Sequence, residues 1–166
     1  IMRIFIDSAF TNEISECFAT GLVDGVTTNP SLIKKTGAEP HTVYQALIDM
    51  GIPDISMEVK AGASDDMYDE ALQFYTLYKE STTVKLPMTK DGLLTCKRLS
   101  EIGVRTNVTL IFNAAQAILA AKAGATYVSP FVGRIDDQGY AGLEVVRSIA
   151  TLFAQSGVET EVLAAS

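Results

Sequence analysis

The sequence predicts an α/β fold: a (β/α)8 TIM barrel that stops after its seventh strand. Three observations carry this. Short apolar runs alternate strictly with longer amphipathic ones along all 166 residues. Helix-opening residues precede the amphipathic runs, and glycines follow several of them. No linker, repeat or low-complexity stretch divides the chain, so it reads as one domain, 1–166. Strict β-α alternation implies a parallel sheet with helices outside it.

The strand-like runs are RIFID at 3–7, GVTTNP at 25–30, ISMEVK at 55–60, TTVKLP at 82–87, RTNVTLIF at 105–112, YVSPFVGR at 127–134 and EVLAAS at 161–166. The first helix opens at Thr11-Asn12-Glu13 and runs to about Thr20. Glu39-Pro40 opens the next, which ends near Gly51. Ser64-Asp65-Asp66 is a cap followed by first-turn acids, for a helix reaching about Glu80. Thr89-Lys90-Asp91 opens one ending near Gly103, and Asn113 caps one ending at Gly124. The last runs from about Tyr140 to Gln155, with Gly157 after it. Seven β units are one short of a closed barrel, so the C-terminal strand and helices are expected to be missing. A doubly wound open sheet is the alternative, but no glycine-rich fingerprint follows the first strand.

Composition narrows the function. Hydrophobic residues make up 48% and charged ones 20% of the chain, which suits a substantial core rather than disorder. No apolar run is long enough for a membrane span, and a soluble cytoplasmic protein is the default expectation. Ile1 ahead of Met2 reads as an added residue. The net charge of −7 argues against a nucleic-acid partner. An anionic substrate would be held by a few local cations. Cys17 and Cys96 read as buried thiols rather than a disulfide. With His41 the only histidine, a His-based zinc site or a Ser-His-Asp triad is not expected.

Strand side chains alternate faces. Ile55, Met57 and Val59 oppose Ser56, Glu58 and Lys60. Val84 and Leu86 oppose Thr83 and Lys85, and Val108 and Leu110 oppose Asn107 and Thr109. Ile4 and Ile6 oppose Phe5 and Asp7, while Thr27 and Asn29 oppose Val26 and Thr28. Strands covered on both faces are usually continuously apolar. Five successive strands here carry polar groups toward their C-terminal ends, where barrel active sites are built. Asp7, Asn29, Glu58, Lys85, Asn107 and Thr109 are therefore expected to converge. A desolvated lysine can become a neutral amine that attacks a carbonyl. The alternative for Lys85 is an ion pair with Asp7 or Glu58 that holds the fold together.

Five segments carry a resemblance: DGVTTNPSLI at 24–33, VKLPMTKDGL at 84–93, NVTLIF at 107–112 with Gln116, AGATYVSPFVGRIDD at 123–137 and VLAAS at 162–166. Together they resemble the small transaldolases, a group that includes the fructose-6-phosphate aldolases. The resemblance implies that Lys85 is the Schiff-base lysine and Asp7 the acid/base for the C4 hydroxyl proton. It implies that Glu58 and Thr109 position a catalytic water, and that Asn29, Asn107 and Ser129 hold the dihydroxyacetone moiety. Thr28 and Phe131 are counted with the substrate-binding residues. Arg134 and Ser166 match phosphate-binding positions, with a further basic residue expected beyond Ser166. Such chemistry needs no metal and no cofactor. The substrates implied are sugar phosphates, and the assembly implied is a homo-oligomer.

Within the group, Glu58, Asn107 and Phe131 resemble the transaldolases. The aldolases have Gln, an apolar residue and Tyr at the matching places. A phenylalanine cannot protonate the enamine, so transfer is expected over release of free dihydroxyacetone. A non-catalytic phosphosugar-binding remnant is the third possibility. Lys60 competes weakly as nucleophile. Lys34-Lys35 reads as a solvated helix surface, Ser31 as a cap, and Asp136-Asp137 as solvated loop acids. Tyr44, Tyr68, Tyr75 and Tyr78 read as packing.

Overall fold

A computed structural model describes residues 2–166; Ile1 lies outside the described residues. Strands and helices follow one another, but two helices rather than the expected one separate the second strand from the third and the sixth from the seventh. The strands are β1 Phe5–Asp7, β2 Gly25–Thr27, β3 Ile55–Glu58, β4 Thr82–Pro87, β5 Arg105–Ile111, β6 Tyr127–Pro130 and β7 Glu161–Val162. The helices are α1 Thr11–Phe18, α2 Pro30–Thr36, α3 Pro40–Asp49, α4 Ser64–Tyr78, α5 Lys90–Glu101, α6 Ala114–Lys122, α7 Val132–Asp137 and α8 Gly142–Ser156. The strand order is the chain order, and every described pairing is parallel. This is the α/β, TIM-barrel-type architecture.

The chain forms two compact units. One holds the chain up to Lys60 together with Asp69–Val84; the other holds Ala61–Tyr68 and Lys85–Ser166. In the first unit β1, β2 and β3 pair side by side, with Asp7 opposite Thr27 and Thr27 opposite Ser56. Its core is Ile14 of α1, Val26, Ile55 and Met57 of the sheet, and Val43, Tyr44 and Leu47 of α3. The 43, 44, 47 spacing puts one stripe of α3 inward. Each such aliphatic side chain contributes about 1.5–3 kcal/mol by leaving water. Thr83 donates to the buried Asp54 carboxylate at 2.7 Å.

In the second unit β5, β6 and β7 pair in register, Asn107 opposite Tyr127 and Tyr127 opposite Glu161. Cys96 and Leu99 of α5, Ala117 and Ala120 of α6, and Ile149 and Phe153 of α8 are buried there. α5 starts tightly after β4: Thr89 accepts from the Gly92 amide at 3.0 Å. A Cβ on Gly92 would stand 2.0 Å from the Pro87 carbonyl oxygen, so only glycine fits.

Several expectations change. YVSPFVGR is not one strand: β6 ends at Pro130, and Val132 begins α7. Proline has no N–H to continue a ladder. No side chain caps α7, so nothing in the sequence announces its start. EVLAAS is a two-residue strand followed by one isolated bridge, Phe131 to Ala165. The cap of α2 is Asn29, not Ser31; its side chain accepts from the Leu32 amide at 2.9 Å. Lys34 and Lys35 are exposed on that helix. Asp136 and Asp137 are exposed as expected but lie on α7 rather than a loop, and Asp136 accepts from the Gly142 amide at 2.7 Å, tying α7 to α8. Cys17 and Cys96 are both free, but only Cys96 is buried. Among the described residues no helix is long and apolar enough to cross a membrane.

Candidate active site

In the second unit the polar groups sit on three successive strands. Lys85 is 6% exposed, flanked by Val84 and Leu86, neither of which reaches solvent. A lysine is seldom so buried. Three residues later the Met88 amide donates to the Thr109 carbonyl at 3.1 Å, fastening the end of β4 to β5. Asn107, Thr109 and Ser129 are all buried. Thr109 lies opposite Ser129 in the ladder, and the Ser129 hydroxyl donates to Asn107 Oδ1 at 2.8 Å. Buried side-chain oxygens and nitrogens are nearly always bonded. Among the described residues Thr109 Oγ1 is the one such atom without a partner.

At the same ends of β6 and β7, Phe131, Arg134 and Ser166 come together. The Phe131 amide donates to the Ile111 carbonyl at 3.2 Å, and the Val132 amide to the Ala165 carbonyl at 2.8 Å. The Arg134 guanidinium lies 4.9 Å from the centre of the Phe131 ring, whose other neighbour is Phe112 at 6.5 Å. A cation over an aromatic face is held in place by the ring quadrupole. Ser166 packs on Gly133, where a Cβ would come within 3.4 Å of its hydroxyl. Arg134 and Ser166 are exposed, so both can meet a solvent-borne anion.

In the first unit Asp7 ends β1, exposed, and accepts from the Thr27 hydroxyl at 2.9 Å. Thr28 is fully buried and donates to the Ser56 carbonyl at 2.8 Å. Asn29 spends its side-chain oxygen on the cap of α2. Glu58 is half-buried at the end of β3. Burial pushes the Tyr44 hydroxyl up to about 12; the Thr28 side-chain hydrogen bond opposes that shift, and the Glu58 charge adds to it. Tyr44 thus shares a hydrogen bond with Thr28 and feels the charge of Glu58. The helix pattern predicts packing for Tyr44, and its buried hydroxyl needs a polar partner besides. Tyr78 does pack, against Tyr44 with ring centres 5.7 Å apart. Tyr68 carries Arg98 over its ring at 3.9 Å. Lys60 is exposed, and its amide donates to Glu70 at 2.9 Å. Among the described residues no group of three or more His, Cys, Asp or Glu side chains is placed to hold a metal ion.

Comparison with known proteins bears on this arrangement. Residues 4–166 match the family described as transaldolase/fructose-6-phosphate aldolase. A probable transaldolase of Bacillus cereus is 47% identical over 99% of this chain and 76% of its own length. One of Thermodesulfovibrio yellowstonii is 46% identical over 99% of this chain and 77% of its own. One of Methanococcus maripaludis is 49% identical over 99% and 76%. Among solved structures, active domain 2 of a chitinase from Pyrococcus furiosus aligns with a TM-score of 0.59 at 15% identity. That alignment covers 93% of this chain but 65% of the other, and at such identity it speaks for the fold alone. Near-complete coverage at close to half identity is decisive for kinship: the chain belongs to the transaldolase/fructose-6-phosphate aldolase family.

Proposed function

We propose that the protein is a transaldolase, moving a dihydroxyacetone unit from a ketose phosphate to an aldose phosphate through a Schiff base on Lys85. The observation that carries this reading is the burial of Lys85 on a strand whose end is fastened to Thr109. A lysine held out of water is the group suited to attack a ketone carbon. Its amine attacks C2 of fructose 6-phosphate or sedoheptulose 7-phosphate. Loss of the carbinolamine hydroxyl as water gives an iminium. Asp7 takes the C4 hydroxyl proton, the C3–C4 bond breaks, and its electrons pass into the iminium to form an enamine. The aldose phosphate leaves. Glu58 and Thr109 handle the protons of carbinolamine formation and dehydration through a water. Asn29, Asn107 and Ser129 hold the three-carbon unit, and Thr28 is counted with them in binding substrate. Arg134 and Ser166 hold the phosphate, the guanidinium in a bidentate clamp.

Transfer is favoured over release because Phe131 has no hydroxyl to protonate the enamine. Its ring instead backs the Arg134 guanidinium. The enamine then waits for an acceptor aldehyde. The cytoplasm and a homo-oligomeric assembly belong to the same reading. An assay of fructose 6-phosphate with and without erythrose 4-phosphate tests it. Transfer predicts product only with the acceptor. Free dihydroxyacetone at a matching rate without acceptor contradicts transfer and supports the aldolase reaction.

A further inference from the structure

We propose that Leu110 is a positioning residue, whose left-handed backbone adds one residue to β5 and thereby sets the buried hydroxyl of Thr109 for catalysis. The proposal rests on the Schiff-base reading above. Leu110 has φ of 63°, and the one other described non-glycine residue with positive φ is Lys79, at 51°. Lys79 follows the end of α4, where left-handed residues commonly stop helices. Leu110 lies inside a strand, and leucine disfavours that conformation because its Cβ crowds the following carbonyl.

The ladder shows what the conformation does. Thr109 lies opposite Ser129, but Ile111 lies opposite Pro130, so Leu110 is an extra residue with no partner position. Both flanks are pinned. The Thr109 carbonyl accepts from Met88, and the Ile111 carbonyl accepts from Phe131. The Phe112 amide donates to Gln116 Oε1 at 2.8 Å. Leu110 alone absorbs the change of register. Bulges of this kind re-aim neighbouring side chains and recur beside active sites. Here the neighbour is Thr109, 1% exposed, whose hydroxyl has no protein partner. The same bulge delivers the Ile111 carbonyl to Phe131, whose ring backs Arg134.

The test compares substitutions that accept a left-handed backbone with one that rejects it. Valine, β-branched, disfavours positive φ; glycine and asparagine tolerate it. We measure kcat, KM and borohydride-trapped Lys85 adduct for L110V, L110G and L110N, alone and with T109A. L110V is expected to lose kcat on the order of 100-fold with KM little changed, as for a catalytic group moved by about an ångström. L110G and L110N recover most of that loss. L110V added to T109A costs nothing further, because both act on one hydroxyl. Should L110V fail to fold, L110T, β-branched and smaller, makes the same comparison. Undiminished kcat in the β-branched variant overturns the proposal. So does a loss in L110G equal to that in L110V, or a loss that adds fully to T109A. Absence of any adduct on the folded wild-type protein instead sinks the Schiff-base reading itself, and this role with it.

Discussion

In the proposed reaction Phe131 is the side chain that decides between transfer and release. It lies between Phe112 and the Arg134 guanidinium, half-buried at the end of β6. F131Y adds a hydroxyl at that ring without removing the aromatic support of Arg134. The variant is predicted to release free dihydroxyacetone from fructose 6-phosphate without acceptor, up to about 100-fold faster than wild type, the lower range for one positioned acid. The acceptor-free product assay measures it. Unchanged release means that the ring edge does not face the enamine. Other residues divide by what sequence shows of them. Lys85 was conspicuous because a lysine between Val84 and Leu86 on a strand contradicts ordinary burial. Tyr44 was not, because a tyrosine on an apolar helix pattern gives no sign of the polar group its hydroxyl will meet.

Elements were legible where their ends carry chemistry. β4 runs over Thr82–Pro87 as expected, and α5 and α6 begin after the caps Thr89 and Asn113. α7 was hidden because it has neither cap nor amphipathic length, and the bulge in β5 was hidden because its left-handed residue is a leucine rather than a glycine. The β4–α5 turn has its own test. An alanine at Gly92 would bring Cβ to 2.0 Å from the Pro87 carbonyl oxygen, a backbone atom on the strand of Lys85. G92A is predicted to lower stability by about 1–3 kcal/mol, the usual cost of overpacking. It should also slow Schiff-base formation, since the strand end must shift. Denaturant unfolding and adduct rate read the two effects. A fully stable, fully reactive G92A contradicts the tight turn.

For the molecule as a whole, each unit carries a buried acid that holds its proton past the ordinary range. Burial pushes the Cys96 thiol up to about 11, partly offset by its hydrogen bond with Thr106. Burial does the same for the Tyr44 hydroxyl, to about 12. In the unfolded chain these groups ionise near 9 and 10. Between each pair of values the folded state binds more protons than the unfolded one, so stability falls as pH rises. The urea midpoint is predicted to be insensitive to these groups below about pH 8. The unfolding free energy declines from about pH 9 upward, by about 3 kcal/mol for Cys96 at full effect. C96S, which does not titrate there, should flatten the first part of the decline. An equal slope in C96S contradicts the assignment. At this scale the alternation of strands and helices was the readable feature. The division into two units was not, because it follows contact density rather than any break in composition.

The proposed function stands on covalent chemistry at Lys85, and borohydride trapping examines that chemistry at the residue itself. The protein is incubated with fructose 6-phosphate, reduced, digested and mapped by mass. A dihydroxyacetone-sized adduct is expected on the peptide carrying Lys85, absent in Lys85→Ala. An adduct on Lys60 instead, or none on a folded protein, contradicts it.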